Sequence, residues 1–193
     1  MLGARVMVGL SLLGCLATAG RARATILEYL DTPALARSAT AIVRGKVVRQ
    51  RVVVVDGRPW TDSVVRVATP LKGRARRGEL VTVRQPGGET ATLGMHVAGA
   101  ARFSDGEEVL LFLAADGPRF VPVGMALGKF EVYRDRGGVE RVRRDLRGVA
   151  FARFDGHGKV QLQEPLQLVR SADLTVSEFL AAIPRRDLAG GAP

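Results

Sequence analysis

The chain has 193 residues, 29 Lys and Arg against 19 Asp and Glu, a net charge of +10, and one cysteine, Cys15. A single cysteine excludes a disulfide framework and a Cys-based metal site. The only histidines, His96 and His157, lie far apart in sequence, where zinc wants three or four N/S ligands, so neither a metal nor a cofactor is expected.

Residues 1–5 carry one arginine, and residues 6–20 carry no charge. Ala22 and Ala24 then form an A-x-A site before Thr25. A basic start, a short apolar run and small residues at the cut are the parts of a secretory signal. The run is short of the roughly 20 apolar residues that span a bilayer, so no membrane span is expected. Cleavage before Thr25 predicts a secreted or periplasmic protein. Leu12-Leu13-Gly14-Cys15 offers a second route, with Cys15 acylated as a lipoprotein anchor. Loss of residues 1–24 removes three arginines and no acid, so the net charge falls from +10 to +7.

Asp31-Thr32-Pro33 reads as a helix start, a capping residue followed by proline, with a short helix over 33–38. Residues 41–55 are β-branched and predict a strand. The turn Asp56-Gly57-Arg58-Pro59 and a second Val-rich strand over 60–68 complete a hairpin. A basic loop with Arg74, Arg76 and Arg77 precedes a third strand over 79–84. The Gly-rich segment 86–106 reads as a long surface loop, and Met95, His96 and Val97 leave open a further short strand within it. Residues 107–114 form the most apolar strand, followed by strands over 119–123 and 129–133. Weaker strand signals lie at 139–142, 149–154 and 159–162. Thr175 and Glu178 form a capping box, Pro184 ends the helix it opens, and 185–193 reads as a flexible tail. The expected organisation is a signal peptide over 1–24, one domain over 25–184, and the tail. Many short strands with Gly-rich turns predict a mainly β fold. The expected form is an OB-like antiparallel β-barrel with a short N-terminal helix and a C-terminal helix.

A set of residues carries a resemblance: Ala41-Ile42-Val43-x-Gly45-x-Val47, Trp60-Thr61, Leu71-Lys72-Gly73, Pro86-Gly87-Gly88, Phe103-x-x-Gly106-Glu107-x-Val109, and Gly124-x-x-x-Gly128-Lys129-Phe130. The pattern, over roughly 30–145, resembles an uncharacterised family of exported bacterial proteins. It is also similar to OB-type barrels of the netrin-like kind, the fold of tissue inhibitors of metalloproteinases. The resemblance implies a barrel and assigns no functional residues. Those inhibitors act through an N-terminal Cys, which a chain beginning at Thr25 lacks. Gly45 and Gly128 also have a structural explanation as bulge or close-approach positions.

No catalytic residues are expected. None of the serines sits in a G-x-S-x-G elbow. Glu107 and Glu108 open a strand and point to opposite faces, so they cannot share a proton. The arginines of 74–77 and 141–147 read as a solvated rim rather than a nucleic-acid site, because the few aromatics fall in apolar strands. The expected function is an exported, non-enzymatic binding module for an unknown protein or cell-envelope component. Gly87, Gly88, His96 and Arg102 are its candidate binding residues. The alternatives are an inhibitor or accessory factor of an exported protease, and an enzyme of unrecognised type that a pocket holding His96 beside an acid would favour.

Overall fold

A computed structural model describes residues 25–147, 149–154, 160–163 and 174–189. The signal-peptide and lipidation readings at Cys15, Ala22 and Ala24 lie outside them, as does His157. Among the described residues, no helix is long and apolar enough to cross a membrane.

The chain opens with β1 (Thr25–Glu28) and α1 (Thr32–Ser38). Asp31 caps α1 as its motif requires, accepting the Ala34 N–H at 2.8 Å. Strands β2 (Ala41–Val55) and β3 (Arg58–Lys72) form a long hairpin, and β4 (Leu80–Pro86) follows. The short strands β5 (Gly88–Glu89) and β6 (Gly94–Met95) come next, then β7 (Glu108–Asp116), β8 (Arg119–Pro122) and β9 (Lys129–Arg134). The remaining strands are β10 (Glu140–Arg143), β11 (Val149–Phe154) and β12 (Val160–Gln163). Helices α2 (Val176–Ala181) and α3 (Arg185–Ala189) close the described chain.

Strand β7 organises the packing because both of its faces are buried, which explains its unbroken apolar run. Val109, Leu111 and Leu113 join Val43, Val47, Val65, Val81 and Val83 in one core. Leu110 and Phe112 face a second core with Leu35, Phe130 and Phe179. That second core is where the helices attach. Thr175 and Glu178 make the expected capping box at the start of α2, which aims Phe179 inward.

The expected OB-like antiparallel barrel is not what forms. The strands fall into three sheets. The largest has the order β10-β9-β7-β2-β3-β4-β8, with a further β7–β8 pairing. One edge of β7 is divided: Val109–Leu111 pair with β9, and Leu113–Asp116 pair with β8. β8, short and ending in Pro122, meets β4 at the single parallel pair Val83↔Phe120. A separate mixed sheet holds β1, β11 and β12, with β1 parallel to β11, and the β5–β6 hairpin stands alone. The architecture is therefore mainly β with flanking helices and mixed sheets. Within the segment read as a tail, residues 185–189 form α3, and Asp187 there is buried, 3.7 Å from Arg37.

Candidate functional site

Paired residues in neighbouring strands share a face. The pairs Val65↔Val81, Ser63↔Val83 and Thr61↔Gln85 therefore line the inner side of β3 and β4. The row is apolar at one end and polar at the other. Gln85 is only 7% exposed, and its Oε1 is buried without a hydrogen-bond partner. Such an oxygen costs about 1–3 kcal/mol while unpaired.

Beyond Gln85 the chain leaves the sheet through two glycines. The Gly87 N–H donates to the Pro59 carbonyl (3.0 Å), and the Thr61 hydroxyl donates to the Gly87 carbonyl (2.7 Å). Gly87 has φ +98°, and a Cβ there would sit 2.9 Å from the Met95 carbonyl oxygen. Gly88 has φ +144°, and its Cβ would meet Thr61 and Val52 below 3 Å. Only glycine fits this exit. It launches the β5–β6 hairpin, whose turn is closed by Thr90, donating from N–H and hydroxyl to the Leu93 carbonyl (2.8 and 3.0 Å).

The return arm brings His96 back over the end of β4. It is pinned where the Ala126 N–H donates to the Gly99 carbonyl (2.9 Å). Ala101 and Phe103 then enter the inner core, so the residue between them, Arg102, is left exposed. The segment expected as one long loop is thus a tethered hairpin and strap.

All four candidate residues come together. Gly87, Gly88, His96 and Arg102 line one cleft of about 140 Å³ whose strand-side wall includes Thr61 and Gln85. A smaller cleft of about 80 Å³ shares His96 and Arg102 and adds Asp145 and Arg147. Arg102 Nη2 lies 3.4 Å from His96 Nε2. A guanidinium can only donate, so that bond requires a neutral imidazole with its proton on Nδ1. Arg102 has no carboxylate within ion-pair distance among the described residues. Asp145 is held bidentately by Arg147 (2.8 Å each), which pulls its carboxyl down to about 2, with Arg102 adding a smaller pull. His96 does share a cleft with an acid, but that acid is committed to Arg147 and not aimed at the imidazole.

A larger, open groove of about 550 Å³ runs between β10 and α2. Glu140 there already binds Arg44 and Arg134 at 2.7–2.8 Å, so its charge is spent within the fold. The rim arginines divide in the same way. Arg141, Arg143 and Arg147 are tied to Asp135, Glu131 and Asp145, whereas Arg74, Arg76 and Arg77 stand exposed. Glu107 and Glu108 do point apart: Glu107 bonds Lys129, and Glu108 bonds Arg44. Among the described residues, no group of three or more His, Cys, Asp or Glu could hold a metal ion.

On the outer face of the same strands lies Asp62, fully buried. It sits between Arg51 and Arg84 in register and accepts both Arg84 bonds (2.7 and 2.9 Å). Arg51 and Arg119 complete the ring at 3.6 and 4.0 Å. Arg84 foremost, then Arg119 and Arg51, hold the Asp62 carboxyl below its ordinary range against the opposing effect of burial. The expectations from sequence missed both Asp62 and Gln85. Each left a signal: Asp62 is an acid inside a strand of Thr and Val, and Gln85 continues the alternation of Val81 and Val83 at the end of its strand.

Comparison with protein-family models, curated proteins and solved structures returned no match. The resemblance to a family of exported bacterial proteins with a netrin-like barrel is therefore corrected. No family model or solved structure supports that family, an export signal or a barrel.

Proposed function

We propose that the protein is a non-enzymatic binding module that recognises a protein or cell-envelope partner through the cleft between the end of β4 and residues 95–102. One observation carries the reading. Arg102, without an ion-pair partner among the described residues, lines one small cleft with Gly87, Gly88, His96 and the buried Gln85. These residues are held on a rigid frame, as binding groups on loops usually are. The walls are set by strand ends, two glycines that admit no side chain, and a strap pinned at Gly99.

The test is a photo-crosslinking residue placed at His96, with Arg74 as control at the opposite end of β3. Adducts in the producing cells are expected from position 96 and not from position 74. Equal labelling from both positions, or none from 96, would reject the cleft as the binding surface.

A further inference from the structure

Strand β2 outruns one of its neighbours. It pairs with β3 through to Val55, but with β7 only from Ala41 to Lys46. Two backbone bonds, between Val47 and the Gly106–Glu107 turn, end that side of the ladder. Over 48–55 the far edge of β2 has no partner strand among the described residues. The polar groups on that edge follow from one bond. The Pro59 carbonyl accepts from Gly87 on the β4 side, so Pro59 turns away from β2. Opposed residues of an antiparallel pair both face each other or both face away. Val54, opposite Pro59, therefore turns its N–H and C=O to the free edge, and Val52 and Gln50 do the same by alternation. The edge is valine-rich and holds no proline, and Val48, Val54 and Val55 are exposed. Edges of this kind are templates for another strand unless something blunts them.

The charge beside the edge selects what it accepts. Arg49 and Arg51 are exposed on one face of β2, opposite Val64 and Asp62. Arg84 and Arg119 stand on that face behind them, and the Asp62 they surround is fully buried. Arg49 has no ion-pair partner among the described residues, and Arg51 reaches only the shared Asp62, at 3.6 Å. Like charges placed opposite one another across two strands are destabilising, and opposite charges are favourable. A second copy of β2, added antiparallel with the sheet continuous, would bring four arginines to one face of one seam. An acidic strand would be matched there.

We infer that the free edge of β2 over 48–55 takes up an extended segment of a partner protein as an added strand, with acidic side chains opposite Arg49 and Arg51 and apolar ones opposite Val52 and Val54. Main-chain hydrogen bonds supply affinity in this mode of recognition, and alternate side chains supply specificity. The surface is independent of the cleft, whose lining includes none of these residues.

The test adds a probe peptide, acetyl-Val-Thr-Val-Glu-Val-Glu-amide, to the ¹⁵N-labelled full chain and follows amide exchange. Run antiparallel to β2, its valines oppose Val54, Val52 and Gln50, and its acids oppose Arg51 and Arg49. At millimolar peptide, exchange at Gln50, Val52 and Val54 is expected to slow at least tenfold. Exchange at Arg51 and Val53, already turned toward β3, should stay unchanged. The same peptide with Lys for Glu, or with its three valines N-methylated, should give no protection. Arg49→Glu should exchange the preference, binding the Lys peptide and losing the Glu peptide. Val54→Pro removes one edge N–H where an edge strand tolerates proline, so it should abolish binding with the rest of the spectrum intact. Equal protection by the Lys peptide overturns the acidic partner. Equal protection by the N-methylated peptide, or binding that survives Val54→Pro, overturns strand addition. Protection at these three amides in the protein without peptide would mean that a second copy or the chain itself fills the edge, and no protection at millimolar peptide would mean that the edge takes no such strand. Either result overturns the proposal.

Discussion

Replacing Asp62 with Asn is expected to lower the unfolding free energy by about 3–5 kcal/mol, the usual cost of removing one partner from a buried ion pair. Asp62 is fully buried, and its two carboxylate oxygens hold the Arg84 fork at 2.7 and 2.9 Å. Without that charge, Arg84, Arg51 and Arg119 face one another around a neutral amide. The same substitution has a signature in pH. Arg84 depresses the folded-state pKa of Asp62, so the unfolded chain takes up the proton first. The stabilisation is then complete above the ordinary carboxylate pKa of about 3.9 and is lost as pH falls through the lower folded value. Urea unfolding at pH 7 should separate Asp62→Asn widely from the parent protein. The gap should narrow as pH drops below about 4. Equal urea midpoints at pH 7 would show that the arginine ring is decorative.

Phe112→Ala is expected to cost about 3–5 kcal/mol, the range for emptying a buried aromatic site. Phe112 is fully buried, with ring centroids 5.7 Å from Phe130 and 6.2 Å from Phe179. Phe130 and Phe179 are 4.5 Å apart, so the three rings join β7, β9 and α2. The loss should therefore also appear as faster amide exchange in α2, far along the chain from the substitution. A loss near 1 kcal/mol with α2 still protected would mean that the helix docks by other contacts.

Local signals were legible in the sequence, and non-local ones were not. The Asp31 cap, the β2–β3 hairpin and the Thr175–Glu178 box each depend on residues a few positions apart, and each stands where it was read. Gly128 was read as a close-approach position, and a Cβ there would lie 2.4 Å from the Val123 carbonyl oxygen. Other features depend on partners remote in sequence. Nothing near Thr25 announces a parallel pairing with Val149. Nothing in 119–122 tells that β8 pairs with β7 along its length and with β4 at one parallel pair. The barrel was an inference from strand count, and strand count does not fix which strands pair: β1, β11 and β12 form a separate mixed sheet, and β5 and β6 a third.

The candidate site shows the same division. Gly87 and Gly88 were conspicuous because they carry no side chain, and Arg102 because of its charge. Their meeting in one cleft needed the hairpin to fold back over β4. Gln85 passed unnoticed because in sequence it is one polar residue at the end of a strand. Its significance comes from burial, which alternation with Val81 and Val83 foreshadows but does not prove.

The central claim is that recognition occurs at this cleft. Its most direct measurement is the affinity, by calorimetry at physiological salt, of the partner crosslinked at position 96 for the parent protein, Arg102→Gln and Arg74→Gln. Both substitutions remove one exposed positive charge, so a nonspecific electrostatic effect would treat them alike. The account predicts at least a tenfold loss for Arg102→Gln and less than a twofold change for Arg74→Gln. Similar changes in the two variants, or unaltered affinity for Arg102→Gln, would contradict it.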